Sequence, residues 1–186
     1  MSLFCSDESS WEGELLFDPD AVGGTNVYRC HQRNLHLKFQ ELSDQGLVDL
    51  EETIKTCSVF TCDIHGYQEL VYSSSIRIRH AFVIIETNDW FWSIEKHNEG
   101  ISIQRSKSFD HLKNINQGVK RRDVLEIKSQ LESTKKRAMK GFIFNFTHEE
   151  LGKEYSLLTK NCFVFVSEMT GYLSSDPQMD IPTHVR

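Results

Sequence analysis

The sequence has no long apolar run. Its longest apolar stretches, such as AFVII at residues 81–85, contain five residues, whereas a helix that spans a bilayer needs about 20. The first 20 residues also lack the basic region and apolar run of a signal peptide, and carry Asp7, Glu8, Glu12 and Glu14 instead. We therefore expect a cytoplasmic protein without a transmembrane segment.

A surplus of positive charge is missing as well. The chain has 21 Lys and Arg residues against 27 Asp and Glu residues, which gives a net charge of −6 at pH 7. Because nucleic-acid binding depends on cations that neutralise phosphates, general binding to DNA or RNA is not expected.

The cysteines do not follow the pattern of a disulfide framework. They are Cys5, Cys30, Cys57, Cys62 and Cys162. Because they are odd in number and unevenly spaced, they cannot all pair within one chain, and free thiols in a reducing compartment are expected. Cys57, Cys62 and His65 do not have a standard zinc-ligand spacing, so we expect no metal and no cofactor.

Proline is scarce, with 3 residues among 186, and 39% hydrophobic residues accompany 26% charged residues. This composition excludes wholesale disorder and collagen-like repeats, and the length suits one ordinary domain. We expect a polar, loop-rich N-terminal segment over residues 1–26 and a single domain over residues 27–174. A loose C-terminal tail is expected over residues 175–186.

The clearest local structure is a β-hairpin. RHAFVIIET at residues 79–87 and WFWSIEKH at residues 90–97 are both strand-like, and the polar pair Asn88-Asp89 separates them. A third strand, ISIQRS, follows Gly100. These runs predict an antiparallel meander over about residues 76–106.

Two helices are expected after the meander. Val124, Ile127, Leu131 and Ala138 recur along one side of a helix over residues 123–140. Residues 120–140 hold eight Lys or Arg and three Asp or Glu, a local charge of +5. A final helix is expected over about residues 161–172, so the fold class is α+β.

Cys162 is the cysteine best placed to act as a nucleophile. A thiol needs a lowered pKa, which a helix N-terminus and a neighbouring imidazole both supply. In the segment KNCFVFVSEM, Asn161 is a candidate N-cap and an apolar run follows Cys162. The thiol is therefore expected in the first helical turn, where unpaired backbone N–H groups favour an anion.

His80 is the best candidate for the base. If the turn centres on Asn88-Asp89, residues pair across the hairpin when their numbers add to 177, so His80 lies opposite His97 and diagonally beside Glu95. The helix that carries Cys162 is expected to dock across this face. Either Glu95 or His97 would then orient the His80 ring.

The residues resemble a known family. YSLLTKNCFVFV at residues 155–166 resembles the nucleophile segment of the lecithin:retinol acyltransferase-like proteins, in which a Tyr precedes an Asn-Cys pair and Phe-Val follows it. HAFVII resembles their His-bearing strand. The order of strand His and helix Cys is similar to the circularly permuted branch of the NlpC-type papain-like superfamily, which also includes the PPPDE peptidases. The similarity covers residues 76–172, about half of the chain.

This resemblance implies a permuted papain-like fold and thiol-dependent acyl transfer. The acyltransferase-like proteins carry a second His on the next strand, near Trp92 or Ser93 here, whereas this chain offers Glu95 and His97. With no hydrophobic C-terminal anchor in the sequence, the resemblance favours hydrolysis of an amide, isopeptide or ester over membrane lipid exchange.

Three hypotheses are open at this point. In the first, the protein is a cysteine hydrolase that acts on a protein, peptide or acyl-ester substrate through Cys162 and His80. In the second, it is a catalytically inactive papain-like module that binds a partner through the basic helix of residues 120–140. In the third, it is a cysteine acyltransferase that acylates a protein lysine or a lipid.

Overall fold

A mostly antiparallel β-sheet with helices on both faces forms an α+β fold. The computed structural model describes residues 13–24, 26–63, 79–132, 137–156 and 159–173. Its strands are β1 (Glu14–Asp18), β2 (Tyr28–His31), β3 (Thr56–Asp63), β4 (Arg79–Glu86), β5 (Phe91–His97), β6 (Gly100–Ser106), β7 (Ile115–Asn116), β8 (Val119–Lys120) and β9 (Arg122–Glu132). Its α-helices are α1 (Leu35–Asp44), α2 (Phe109–Asn114), α3 (Met139–Gly141), α4 (His148–Leu151) and α5 (Cys162–Leu173). A 3-10 turn (Gln32–Asn34) precedes α1, and a π-helical segment (Phe142–Thr147) joins α3 to α4.

The strands of the described residues form one seven-stranded sheet and a small two-stranded ribbon. The order in the sheet is β2-β1-β6-β5-β4-β3-β9, and β7 pairs with β8 in the ribbon. Neighbouring strands of the sheet are antiparallel except β1 and β6, which are parallel. This order places β4 and β5 in the middle of the sheet.

Alternation of side chains along β4 separates two apolar cores. Ala81 and Val83 belong to the larger core, which also contains Phe165 and other apolar residues of α5. Phe82 belongs to the smaller core on the opposite face, together with Leu112 of α2. The sheet is therefore covered on both faces, and the hydrophobic effect holds α5 and α2 against it.

The predicted hairpin and its register are confirmed. Val83 pairs with Ile94 and Glu86 pairs with Phe91, so the numbers of each pair add to 177. On the far side of β5, Ile94 pairs with Ile103 of β6, which completes the antiparallel meander. Residues 76–78 of the predicted meander lie outside the described residues.

The prediction that residues 1–26 form a polar, loop-rich segment is wrong for residues 14–18. These residues form β1, and Leu15 and Phe17 are fully buried in the larger core. Gly100 permits this docking, because a Cβ atom at Gly100 would lie 1.9 Å from the Glu14 carbonyl oxygen. Its φ of +151° is also one that glycine adopts far more readily than other residues. Residues 1–12 lie outside the described residues.

Phe17→Ala is expected to lower the free energy of unfolding by about 3–5 kcal/mol, because it leaves a cavity in the core. The Phe17 ring packs 5.0 Å from the Phe39 ring and 5.8 Å from the Trp92 ring, measured between centroids. Urea denaturation measures the effect. Val22→Ala is the control, since Val22 is 60% exposed and a change there costs less than about 0.5 kcal/mol. Equal stability of the two variants would contradict the inclusion of β1 in the core.

The helix predicted over residues 123–140 is also wrong in its larger part. Residues 122–132 form β9, an edge strand that pairs antiparallel with β3. The register of this pairing shifts at three places, and each shift changes which residues of β9 share a face. As a result, Val124 packs against the smaller core while Ile127 and Leu131 pack against the larger one. Because the pairing is irregular, the apolar residues of β9 do not alternate along the sequence, and their spacing resembles that of a helix.

The basic helix on which the binding-module hypothesis depends is therefore absent from residues 122–132. Arg121, from the same basic stretch, is buried, and Arg137 packs over the Tyr172 ring at 4.2 Å. Lys135 and Lys136 lie outside the described residues. The positive charges in the described part of this stretch do not share one helical face.

The helices of the fold are short. The longest in the described part of the chain, α5, has 12 residues, and a helix that spans a bilayer needs about 20. No described helix combines the length and the apolar character that crossing a membrane requires.

Candidate active site

Cys162 lies at the first position of α5. The Asn161 side-chain oxygen accepts hydrogen bonds from the N–H groups of Phe163 (3.0 Å) and Val164 (3.1 Å), which confirms Asn161 as the N-cap. The thiol is almost fully buried, with 3% of Cys162 exposed. The Ala81 N–H of β4 donates to its Sγ at 3.4 Å. The sulfur therefore lies at the start of a helix and against the central strand.

The side chains of His80 and Tyr155 also act on the Cys162 thiol. Burial alone would raise the pKa of Cys162, but His80, the Ala81 N–H and Tyr155 together lower it below the usual value. This combination favours the thiolate, which is the nucleophilic form of cysteine.

His80 connects the thiol to a carboxylate. Its Nε2 lies 2.9 Å from Glu95 Oε2, and because a carboxylate only accepts, Nε2 carries the donated proton. Nδ1 is then the ring nitrogen left to face Cys162. Burial would lower the pKa of His80, but the hydrogen bonds with Cys162 and Glu95 outweigh it and raise the pKa to about 9. The raised pKa favours the imidazolium form of His80 at neutral pH, and its positive charge in turn favours the thiolate form of Cys162.

Glu95 is fully buried and held by a guanidinium. Arg121 donates from Nη1 to Glu95 Oε2 at 3.1 Å and from Nη2 to Oε1. The Asn116 amide adds a hydrogen bond to Oε2 at 3.3 Å. Burial would raise the pKa of Glu95, but Arg121 and His80 hold it far below its usual range. The lowered pKa keeps Glu95 a carboxylate at neutral and mildly acidic pH.

His97 lies in the site without orienting His80. The two rings stack with centroids 5.0 Å apart, as the hairpin register predicts. His97 Nε2 faces Ser102 Oγ at 3.2 Å and is 3.8 Å from Glu95 Oε2. Burial, followed by the charges of His80 and Arg121, lowers the pKa of His97 to about 4 against the opposing effect of Glu95. Of the two candidates, Glu95 is the one that binds the His80 ring.

The expected docking face of α5 needs correction. Phe163 and Phe165 of α5 pack with Ala81 and Val83, the face of β4 opposite to His80. The face that carries His80 is covered by α2 instead. Cys162 reaches the His80 ring because it contacts the first residues of β4, where the Ala81 N–H meets its sulfur.

His80, Glu95 and His97 could in principle hold a metal, since their ligand atoms lie within 4.8 Å of one another. However, Arg121 already binds both oxygens of Glu95. A divalent cation would therefore lie next to a buried guanidinium and compete with it for the same carboxylate. The donor set suits a hydrogen-bonded acid–base system better than a metal site. His65, from the other metal-like cluster, lies outside the described residues.

The other described cysteines do not share the setting of Cys162. Burial raises the pKa of Cys57 to about 12 and, opposed in part by Lys38, that of Cys30 to about 11. Burial also raises the pKa of Cys62, although Arg121 partly opposes it. All four described cysteines are free, and of these the lowered pKa belongs to Cys162. Cys5 lies outside the described residues.

Sequence reasoning missed Arg121, Asn116 and Tyr155 as members of this site. Arg121 stands in the run Lys-Arg-Arg-Asp, whose composition predicts a solvated surface. Asn116 lies on the ribbon of β7 and β8, which is too short to leave a periodic pattern. Tyr155 entered only as part of a family resemblance, and in the fold it directly precedes the Ser156–Lys160 bridge.

Comparisons with known proteins place no family name on this arrangement. Models of protein families, curated proteins and solved structures give no match to the chain.

Proposed function

We propose that the protein is a thiol-dependent hydrolase that acts on an amide, isopeptide or ester. The observation that carries the proposal is the line of side chains from Cys162 through His80 to Glu95: the thiol lies at the start of a helix, His80 lowers its pKa, and His80 Nε2 lies 2.9 Å from Glu95 Oε2. A nucleophile, a base and a group that orients the base are the parts that cysteine-based acyl transfer needs.

The proposed reaction begins with attack of the Cys162 thiolate on the substrate carbonyl carbon. Charge moves to the carbonyl oxygen, which the backbone N–H of Cys162 at the start of α5 is placed to hold. The His80 imidazolium then donates its Nδ1 proton to the leaving amine or alcohol, which leaves a thioester on the sulfur. In the second half, His80 Nδ1 removes a proton from water, the hydroxide attacks the thioester, and the thiolate is released.

Glu95 supports both half-reactions without exchanging a proton. It accepts from His80 Nε2 at 2.9 Å, which fixes the ring and its tautomer and leaves Nδ1 toward the sulfur. Its carboxylate also compensates the imidazolium charge in a buried site, where an unpaired charge is costly.

We also propose that the fold is a permuted papain-like one. Three features support it: an antiparallel sheet, a His on a central strand early in the chain, and a Cys at the start of a later helix. The resemblance of the HAFVII and KNCFVFV segments to lecithin:retinol acyltransferase-like proteins points the same way.

Trapping of the acyl-enzyme tests the proposed reaction. The protein is incubated with three probes, a peptide p-nitroanilide, a lysine isopeptide and a fatty-acyl ester, and product release and intact mass are followed. We expect turnover of at least one probe and a hydroxylamine-sensitive adduct on Cys162. Cys30→Ser is the matched control, since Cys30 is half-buried with a raised pKa, and it should behave as the unchanged protein.

The outcomes separate the alternatives. Transfer of the acyl group from Cys162 to added lysine or glycerol in preference to water would make the protein an acyltransferase. The absence of both turnover and an adduct with all three probes would contradict the hydrolase proposal, provided that Cys162 still reacts with iodoacetamide.

A further inference from the structure

We propose that Arg121 is a positioning residue that sets the pH range over which Cys162 is reactive, by holding Glu95 as a carboxylate in one orientation. The role of Arg121 in catalysis rests on the proposed hydrolase function. Its effect on the reactivity of the Cys162 thiol as a function of pH can be measured without any substrate.

The Arg121 side chain is held in place by several contacts. Both terminal nitrogens donate to Glu95, and Nη2 also faces Ser93 Oγ at 3.4 Å. The guanidinium lies over Phe82, with Cζ 3.8 Å from the ring centroid. Its backbone N–H donates to the Asn114 carbonyl at 2.7 Å, which anchors the residue beside α2. Because Phe82, Ser93 and the Asn114 carbonyl fix Arg121 in place, the two hydrogen bonds of its planar guanidinium hold the Glu95 carboxylate in one orientation. In this orientation Oε2 faces His80.

The charge of Arg121 acts on several groups at once. Its charge acts directly on Glu95 and His97 of β5 and on Cys62 of β3, near which Arg79 of β4 is a second cation. Glu95 carries the effect on to His80 of β4, and His80 acts on Cys162 of α5. Arg79 is itself paired with Asp63 at 3.2 Å. Removal of one buried positive charge makes each neighbouring proton harder to lose. The pKa values of Glu95 and Cys162 should therefore both rise.

A purely structural role is separable from this one. A buried arginine that only supports packing would change stability and leave the titration of Cys162 where it is. Arg105 provides that comparison, because it is also buried and faces a carboxylate, Glu52, at 3.4 Å. It stacks over Trp90 at 4.1 Å, and its partner Glu52 binds Thr87 and Trp92, whereas Glu95 binds His80.

The experiment measures the rate of Cys162 alkylation by iodoacetamide as a function of pH, with the labelled peptide identified by mass spectrometry. In Arg121→Met, the midpoint of the acid limb should move up by about one pH unit. In Arg121→Lys, which keeps the charge, it should stay within about 0.3 units of the unchanged protein. In the control Arg105→Met, the midpoint should not move.

Three results would overturn the proposal: an unmoved midpoint in Arg121→Met, an equal shift in Arg121→Lys, or an equal shift in Arg105→Met. Where Arg121→Met does not fold, Arg121→Gln takes its place, since it keeps hydrogen-bond donors and lacks the charge. Alkylation needs no substrate, so a failed hydrolysis assay with a shifted midpoint would count against the hydrolase function and leave the role of Arg121 standing.

Discussion

Cys162→Ala is expected to abolish hydrolysis, with a fall in kcat/KM of at least about 10³-fold. The sulfur is the attacking atom of the proposed reaction, and no other described cysteine has a lowered pKa. Alanine fits the space left by a buried thiol, so we expect the free energy of unfolding to change by about 1 kcal/mol. Hydrolysis of the probe that the unchanged protein turns over measures the first effect, and urea denaturation measures the second.

His80→Ala is the companion variant, because it keeps the thiol and removes its base. Without the imidazolium, the pKa of Cys162 should return toward or above the ordinary value, and alkylation at pH 6 should slow by roughly 100-fold. In the unchanged protein, the ion pair persists from the lowered pKa of Cys162 up to about 9, where His80 loses its proton. Full hydrolysis by Cys162→Ala, or unchanged alkylation in His80→Ala, would exclude the proposed pair.

The raised pKa of His80 also affects stability. A group whose pKa is higher in the folded state stabilises the protein fully below its unfolded pKa of about 6.5, and this contribution is lost as the pH rises through about 9. The lowered pKa of Cys162 opposes this loss, because its stabilising effect grows as the pH rises toward 9. In Cys162→Ala, which lacks the thiol, urea denaturation should therefore show a steeper fall of the free energy of unfolding between pH 7 and 9 than in the unchanged protein.

Glu95→Gln is expected to lower the free energy of unfolding by about 3–5 kcal/mol, because it leaves the buried Arg121 guanidinium without a counter-charge. It should also lower the pKa of His80, since the carboxylate that stabilises the imidazolium is gone. Thermal or urea denaturation of the pure variant measures the first effect. The alkaline limb of Cys162 alkylation by the anion iodoacetate, which the imidazolium attracts, measures the second.

A double variant checks the cause of this loss. Glu95→Gln combined with Arg121→Met removes both charges, so it should be more stable than Glu95→Gln alone. Because the folded pKa of Glu95 is depressed, its stabilising effect is present above the unfolded pKa of about 4.3 and is lost as the pH falls. Strict additivity of the two single changes would show that Glu95 and Arg121 do not interact.

Local sequence patterns predicted the elements whose determining contacts lie close together in the chain. The hairpin register followed from a short turn and strict alternation, and it placed the His80 and His97 rings together. Asn161 followed from the chemistry of helix caps. In each case the determining contacts lie within a few residues or across one turn, where spacing fixes geometry.

The parts that sequence could not predict depend on contacts between distant segments. The bulged pairing of β9 with β3 shifted its apolar residues out of alternation, so a strand resembled a helix. Arg121 can be buried because it forms an ion pair with Glu95, 26 positions away in the chain. A single sequence contains no signal for that pairing. The choice of Glu95 over His97 likewise required the actual orientation of the rings.

The position of β1 in the sheet has a consequence for how the chain assembles during synthesis. β1 can pair with β2 as soon as both have been made, but its parallel neighbour β6 comes more than 80 residues later. α5, which covers the sheet, is the last described helix. Such long-range pairing predicts slow folding relative to helical proteins of this size. In a nascent chain β1 consequently lacks its parallel neighbour until β6 emerges, and the sheet is complete only after β9 has been made. The contacts that lower the pKa of Cys162 require α5, which is made later still.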